Sequence, residues 1–472
     1  MLASQPIVRG ARRAFTAAAI AALAACAHLE PGEVHPDVSL PDHYPAATAG
    51  DTASAERPWR EQFRDPRLVQ LIELALAQNR DLRVAALNIE QARALYRIQE
   101  AARWPGVSAS AGSTLSRSPA DLSPSGRASI SRNYSATVGA SAYELDLFGR
   151  VRLLNEQALA QFLATQEARR ATQITVVSEV AQSWMGWAAD LQRLQLAEQT
   201  LESHRQSVAL TERRMAAGAD SALTLRQQQS SHESARGEVA RWRGQVEQRR
   251  QALAVLIGGP VPDEAVPDAL DPAASLPMAP VSAGLPSELL LRRPDLLQSE
   301  QTLKAARANI GVARAAFYPR IALTASAGTT SNELAGLFKG GSGTWTFAPQ
   351  LSLPVFDGGA NQANLDSATA ERDMALARYE KSIQVAFREV ADALTARRTL
   401  LDRLDAQQAL VQASRQALEL AQARYQRGAD SWLQVLDAQR THDTARQGLV
   451  DLREQQADNL ITLYKVLGGG VA

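Results

Sequence analysis

Ala217-Gly218-Ala219-Asp220-Ser221-Ala222-Leu223 returns as Arg427-Gly428-Ala429-Asp430-Ser431-Trp432-Leu433, 210 positions further along the chain. The pair Gly258-Gly259 returns at Gly468-Gly469 with the same offset. Trp104-Pro105 answers Tyr318-Pro319 and Asp81-Leu82 answers Asp295-Leu296, both at 214, and Phe148 answers Phe356 at 208. Five landmarks at nearly one offset make the chain an internal duplication. Each copy runs in one order: a helix, two strands, a very long helix, a Gly-Ala-Asp turn, and a helix closing at Gly-Gly. The opening helix of the first copy starts at Asp65-Pro66, Asp as N-cap and Pro at the first helical position, and ends before Trp104-Pro105. Its counterpart is capped by Ser287 and ends before Tyr318-Pro319. The copies occupy residues 65–259 and 287–472, joined by a Pro-rich connector, residues 260–286.

The long helices are the unusual element. No proline occurs from Val151 to Gly218 or from Gly359 to Gly428. Roughly 67 residues at about 1.5 Å each give helices on the order of 100 Å, longer than any globular core needs. Val180, Trp187, Leu194, Leu201, Val208 and Met215 fall seven apart. Ile383, Val390, Leu404, Val411 and Leu418 keep that register in the second copy, interrupted at Arg397, with Phe387, Leu394 and Leu401 as a companion seam. Such a repeat demands coiled-coil partners. The closing helices, Ser221 to Ile257 and Ser431 to Leu467, are about half as long, so two short helices laid end to end match one long one. The composition agrees: aromatics are 5%, and the 45% hydrophobic share is largely alanine. Lys+Arg and Asp+Glu are 50 each, so no net field recruits nucleic acid.

The strands have a different period. Trp345, Phe347, Leu351, Leu353 and Val355 alternate with Thr346, Ala348, Gln350, Ser352 and Pro354. A period of two over about twelve residues suits a tilted transmembrane strand with one face to lipid and one to water. Ile321, Leu323, Ala325 and Ala327 begin the partner strand, and Val107–Leu115 with Tyr134–Phe148 form a weaker first pair. Loops at Arg117–Arg132 and Thr329–Gly343 join them. Read alone, the hairpins also fit surface ribbons of a soluble protein. If they span a membrane, four strands cannot close a barrel, and open edges are not tolerated in lipid, so the chain must oligomerise. The copy number stays open at this level.

The N-terminus reads as an export signal. Arg9, Arg12 and Arg13 precede a short apolar run that ends Leu23-Ala24-Ala25-Cys26. Cys26 is the only cysteine, so no internal disulfide is possible. The tetrapeptide resembles the bacterial lipobox, which implies a signal peptide over 1–25, a lipid on Cys26 as the only attached group, and a lipid-anchored extended tether over 26–64. A cleaved signal with an incidental cysteine is the other reading. Ala27, in place of Asp, implies sorting to the outer membrane.

Three further stretches carry a family resemblance: Gly284-Leu285-Pro286-Ser287-Glu288-Leu289-Leu290-Leu291-Arg292-Arg293-Pro294-Asp295, Ile310-Gly311-Val312-Ala313-Arg314-Ala315-Ala316-Phe317-Tyr318-Pro319-Arg320, and Arg424-Tyr425 through Gly428 to Leu436-Asp437-Ala438-Gln439-Arg440. The chain resembles the outer-membrane factors, the TolC-like channels, and within them the NodT-type lipoprotein branch serving RND efflux systems. The resemblance implies an α+β membrane protein: a homotrimer with a 12-stranded transmembrane β-barrel, four strands per chain, continued by a long α-helical coiled-coil barrel. It implies an exit channel for small-molecule solutes such as drugs or toxic compounds, working with a periplasmic adaptor (membrane fusion) protein, an inner-membrane RND pump and outer-membrane lipid. A channel for type I secretion or heavy-metal efflux is the alternative.

The resemblance also assigns sites. Gly218, Ala219, Asp220, Gly428, Ala429 and Asp430 become adaptor-docking tips at the periplasmic end, where Gly permits the turn and Asp or Ser caps the next helix. Leu433, Asp437 and Arg440, on one helix face, become a periplasmic gate. A solvated intrahelical Asp437–Arg440 pair is the bland alternative. Gln434 stands where some family members carry a second acid. Trp345, Phe347, Leu351, Leu353 and Val355 become the lipid-facing strand. No catalytic constellation, phosphate loop or metal-ligand spacing is present: the six histidines, His28, His35, His43, His204, His232 and His442, are scattered. The chain is expected not to be an enzyme. A periplasmic adaptor is disfavoured, since adaptors need one hairpin between compact β domains; a structural lipoprotein linking membrane and wall remains.

Overall fold

A computed structural model of the chain describes residues 29, 31–32, 36–38, 58–123, 126–271, 276–279 and 292–469. The helices are α1 Trp59–Gln62, α2 Pro66–Gln78, α3 Arg80–Ala101, α4 Arg150–Ala216, α5 Ala222–Ile257, α6 Pro294–Ala315, α7 Ala360–Gln426 and α8 Trp432–Val466. The strands are β1 Val107–Ser118, β2 Ser129–Glu144, β3 Arg320–Ser331 and β4 Gly343–Ser352. Duplication shows in element length. α3 and α6 have 22 residues each, α4 and α7 have 67 each, and α5 and α8 have 36 and 35.

The chain divides into two compact units. One comprises residues 1–36, 89–165 and 299–379 and holds the sheet; the other comprises 37–88, 166–298 and 380–472 and holds the main core. In the second unit α2 buries Leu68, Leu71, Ile72 and Ala75, an i, i+3, i+4, i+7 face, against Val177, Val180, Ala181 and Trp184 of α4 and Leu253 and Ile257 of α5. Each such aliphatic side chain contributes about 1.5–3 kcal/mol by burial. The heptad seam of α4 is buried at Val180 and Trp187, half-buried at Leu194, Leu201 and Val208, and exposed at Met215. In α7, Ile383, Val390, Leu394 and Leu404 are buried. Leu401 is a departure from the expected companion seam: it is exposed, and Leu400 packs with Leu404 and Leu452 instead.

The single opening helix expected from Asp65 onward is two. Asp65 does cap α2, accepting Arg67 N–H at 2.9 Å. The helix then breaks at Asn79, whose Oδ1 accepts Leu82 N–H at 3.0 Å and whose Nδ2 donates to the Leu256 carbonyl at 2.8 Å. One side chain thus starts α3 and satisfies a terminal carbonyl of α5. The second copy repeats the device with a different residue. Arg293, just before α6, donates to the Val466 carbonyl near the end of α8 at 3.1 Å and pairs with Asp295 and Glu389 at 2.7 and 2.8 Å. Each closing helix therefore ends where a 22-residue helix begins. Ser287, expected to cap the latter, lies outside the described residues.

Two boundaries of the sequence reading change. The expected tether over 26–64 is not free along its described parts. Leu29 is buried against Leu153 and Ala315, its carbonyl accepts from Arg314 at 3.1 Å, the Pro31 carbonyl accepts from Arg307 at 3.2 Å, and Trp59–Gln62 is helical. Strand β2 is Ser129–Glu144 rather than Tyr134–Phe148, so Arg117 and Arg132 belong to strands and not to their loop.

The second unit also buries charge. Arg193 of α4 bonds Asp190 at 2.8 Å, Asp451 at 2.6 Å and Glu454 at 2.5 Å, and Arg249 of α5 reaches Asp190 at 3.1 Å. Asp458, one turn beyond Glu454, has its carboxyl pushed up to about 6, first by burial and then by Glu454, with Arg249 opposing. Its Oδ1 has no hydrogen-bond partner among the described residues. Its folded pKa exceeds the ordinary 3.8, so the folded chain binds the extra proton and stability rises as pH falls through about 6. Asp458→Asn is expected to raise the thermal midpoint at pH 7.5 by a few degrees and to flatten its pH dependence between 4 and 6. Melting followed by circular dichroism checks this, and a lower midpoint at pH 7.5 counts against it.

Candidate functional site

The sheet has strand order β1-β2-β3-β4, antiparallel throughout. Residues paired across strands share a face, so the register sorts every side chain. Val107, Ala109 and Ala111, then Ala136, Val138 and Ala140, then Leu323, Ala325 and Ala327, then Trp345, Phe347 and Leu351 fall on one face. The opposite face carries Ser108, Ser110, Thr137, Ser326, Thr344 and Thr346. A Ser110–Thr137 hydroxyl bond of 2.9 Å runs along it. The apolar face is uncovered: Trp345 is 78% exposed, Phe347 61% and Leu351 64%. A patch of this kind marks a lipid or protein contact.

The hydroxyl face is the crowded one. A Cβ on Gly139 would strike the Ala325 carbonyl and Ser326, and one on Gly328 would strike the Ala136 carbonyl and Thr137, both across the strand boundary. Small residues there let the sheet bend toward its polar face. A bulge between Ala140 and Tyr143, with Ala142 at φ 54°, adds to the bend. Of the expected lipid-facing strand, Trp345, Phe347 and Leu351 lie in β4; Leu353 and Val355 do not, because β4 ends at Ser352 ahead of Pro354, which lacks a ladder donor.

The two Gly-Ala-Asp turns are near copies. Gly218 and Gly428 take φ of 72° and 74°. In each turn the Gly N–H returns to the carbonyl three residues back (Met215, Tyr425) and the Ala N–H to that five back (Arg214, Arg424), at 2.8–3.0 Å. Of the two residue types expected to cap the next helix, Asp or Ser, the aspartates do not. Asp220 accepts Arg214 Nε at 2.7 Å, and Asp430 accepts Arg424 Nε and Nη2 at 2.5 and 3.0 Å. Ser221 caps α5 by accepting Thr224 N–H at 3.1 Å, whereas the Ser431 side chain makes no cap bond. The Arg424 guanidinium holds the Asp430 carboxyl below the usual range. The signal for these pairs was in the sequence: an arginine stands six residues before the aspartate in both copies.

Tyr425 was quoted in sequence only as part of a motif, with no role assigned. Its hydroxyl donates to Asp220 Oδ2 at 3.0 Å, joining the two turns, and its ring lies 4.9 Å from the Arg214 guanidinium. It packs edge-on against Trp432 in a small cluster with Val435 and Leu436. Burial, then Asp220, push its phenol pKa up, which keeps the donor proton in place. The first copy has Met215 at this position and cannot return the bond.

Leu433, Asp437 and Arg440 are exposed on α8, opposite the buried Trp432, Val435, Leu436 and Gln439. No Asp437–Arg440 ion pair forms among the described residues. Arg440 lines a cleft with His204, Glu238 and Asp443. Burial, then His232 and Arg440, hold the His204 pKa below its ordinary value. Among the described residues no three His, Cys, Asp or Glu side chains converge as a metal site, and no helix is long and apolar enough to cross a membrane. Cys26 lies outside the described residues.

Comparison with known proteins agrees with this geometry. The family described as outer membrane efflux protein matches residues 71–259 and 285–469, one match per copy. The probable efflux pump outer membrane protein TtgC of Pseudomonas putida is 48% identical over 428 residues, 90% of this chain and 88% of that protein. The outer membrane protein OprJ of Pseudomonas aeruginosa is 44% identical over 450 residues, covering 95% and 94%. Among solved structures, a membrane protein from Pseudomonas aeruginosa superposes with a TM-score of 0.88 at 44% identity, covering 93% of this chain and 97% of that one. The open state of the Neisseria gonorrhoeae MtrE outer membrane channel gives 0.85 at 36%, covering 93% and 98%.

Proposed function

Because this chain belongs to the outer membrane efflux protein family, we propose that it is the outer-membrane exit duct of a tripartite RND-type efflux pump, passing small solutes outward with no catalytic step of its own. The observation that carries this reading is the two-faced sheet. One chain supplies four strands whose apolar face is bare and whose outer strands, β1 and β4, each lack a partner on one side among the described residues. Three copies provide twelve strands, which closes every edge, turns the apolar faces to lipid and encloses the hydroxyl faces as a lumen.

The lipid on Cys26 anchors the chain to the outer membrane. The paired turns at Gly218–Asp220 and Gly428–Asp430 receive the helical hairpin of a periplasmic adaptor, which links the duct to an inner-membrane pump. Relatives named for antibiotic, toluene and solvent efflux pumps support drugs and toxic small molecules as the solutes. Leu433, Asp437 and Arg440, repeated by three-fold symmetry, form the gate: an apolar constriction beside charges free to pair between neighbours. The Tyr425–Asp220 bond ties the two turns of one chain and holds the mouth narrow.

Purified protein in a planar bilayer tests the reading. Wild type is expected to open rarely. Asp437→Ala with Arg440→Ala is expected to give stepwise conductance several-fold larger, and Tyr425→Phe a smaller rise in the same direction. No conductance from any of the three sinks the duct assignment.

A further inference from the structure

The apolar face of the sheet carries two charges, and both are arginines at its loop end. The register pairs Leu115 with Arg132 and Arg117 with Ile130, so Arg117 and Arg132 are diagonal neighbours on the face that holds Val138, Phe347 and Leu351. Both are exposed, and neither has a hydrogen-bond or ion-pair partner among the described residues. Glu144 and Arg320, at the other end of the sheet, are paired at 2.7 Å. Two unpaired guanidiniums set into an apolar surface call for an anion supplied from outside the chain.

Their height identifies it. On this face Tyr143 and Tyr134 stand near the two ends of the apolar rows, as girdle aromatics do, and Arg132 lies two residues before Tyr134, on the loop side. From Tyr143 to Arg132, allowing for the bulge, β2 advances by about 34 Å at roughly 3.4 Å per residue. At a tilt of about 40° that is about 26 Å along the membrane normal, against an apolar band of about 25 Å. Arg117 and Arg132 therefore stand just beyond the hydrocarbon on the loop side, at headgroup level. This rests on the reading that the apolar face meets outer-membrane lipid.

We infer that Arg117 and Arg132 form a binding site for a phosphate of the outer-leaflet glycolipid, the lipid A part of lipopolysaccharide. Planar forks on adjacent strands match a phosphate bidentately. The site fixes the height of the sheet in the bilayer by a charge contact as well as by its apolar band.

The test is lipid retained by the full-length protein extracted from outer membranes into mild detergent, read by native mass spectrometry. Wild type is expected to hold bis-phosphorylated lipid A and at least ten-fold less of its dephosphorylated form, a comparison needing no variant. Arg117→Gln with Arg132→Gln is expected to cut retention at least ten-fold, lysine at both positions, which keeps the charge without the fork, to restore only part of it, and Arg127→Gln in the loop to leave it unchanged. Equal retention of the two lipids by wild type, unchanged retention by the double glutamine variant, or displacement by millimolar inorganic phosphate overturns the site. Fractionation separates the causes. A wild-type chain absent from the outer membrane overturns the membrane reading and the site with it, whereas normal insertion with unchanged lipid overturns the site alone.

Discussion

Phe347→Arg is expected to remove the protein from the outer-membrane fraction, while Thr346→Arg, one residue earlier, leaves it there. Phe347 pairs with Ala325 on the bare apolar face and is 61% exposed; Thr346 pairs with Ser326 on the hydroxyl face. A guanidinium near the middle of a lipid-facing strand costs about 2–4 kcal/mol per site, and a symmetric assembly repeats that in every copy. Net stabilities of folded proteins are about 5–15 kcal/mol, so a repeated cost of this size removes most of the assembled state. The same charge facing a watery lumen meets no such cost. Heat-resistant oligomer on a gel, together with sucrose-gradient fractionation, reads both variants. Equal insertion of the two would mean that the apolar face does not meet lipid.

Arg193→Met should destabilise the helical unit by about 3–5 kcal/mol at neutral pH, the usual result of removing one partner from a buried ion network. Arg193 answers three carboxylates, of Asp190, Asp451 and Glu454. The Asp190 side chain is 2% exposed and would keep only Arg249, at 3.1 Å. Methionine fills the space of the aliphatic stem but leaves the acids facing one another. Gly186 has no room to compensate, since a Cβ there already meets Arg249 at 3.0 Å and Glu454 at 3.2 Å. Denaturant melts of the helical signal at pH 7.5 measure the loss. A variant that melts with wild type would show that solvent already screens the network.

The legibility of this chain follows the range of the interactions involved. Helix length, the paired turns and the strand period rest on residues near one another in sequence, and these can be read directly. Proline exclusion, Gly at the turns and alternation in β4 leave few alternatives. The aspartates of the turns show where such reading stops. Asp and Ser both have the composition of a cap, but the N-cap position falls on Ser221 and Ser431, which leaves each aspartate to the arginine six residues earlier. Asn79 is similar. A helix-compatible segment breaks there because the side chain must also serve the Leu256 carbonyl, 177 residues away.

The strand period that sorted β4 into two faces thus emerges from sequence alone, as does the duplication that copies it. The sequence itself determined that the chain has long coiled-coil helices, two strand pairs and one cysteine in a lipobox-like setting, because each depends on local spacing. Only the tertiary structure decided which residues share a face across four strands, that Gly139 and Gly328 of the hydroxyl face leave no room for a Cβ, that Tyr425 of one copy bonds Asp220 of the other, and that Arg117 and Arg132 lie together. Those outcomes depend on register and on contacts between segments as many as 205 residues apart. A one-residue slip in pairing would turn every side chain of a strand to the opposite face, and no local pattern fixes the register of all three pairings at once.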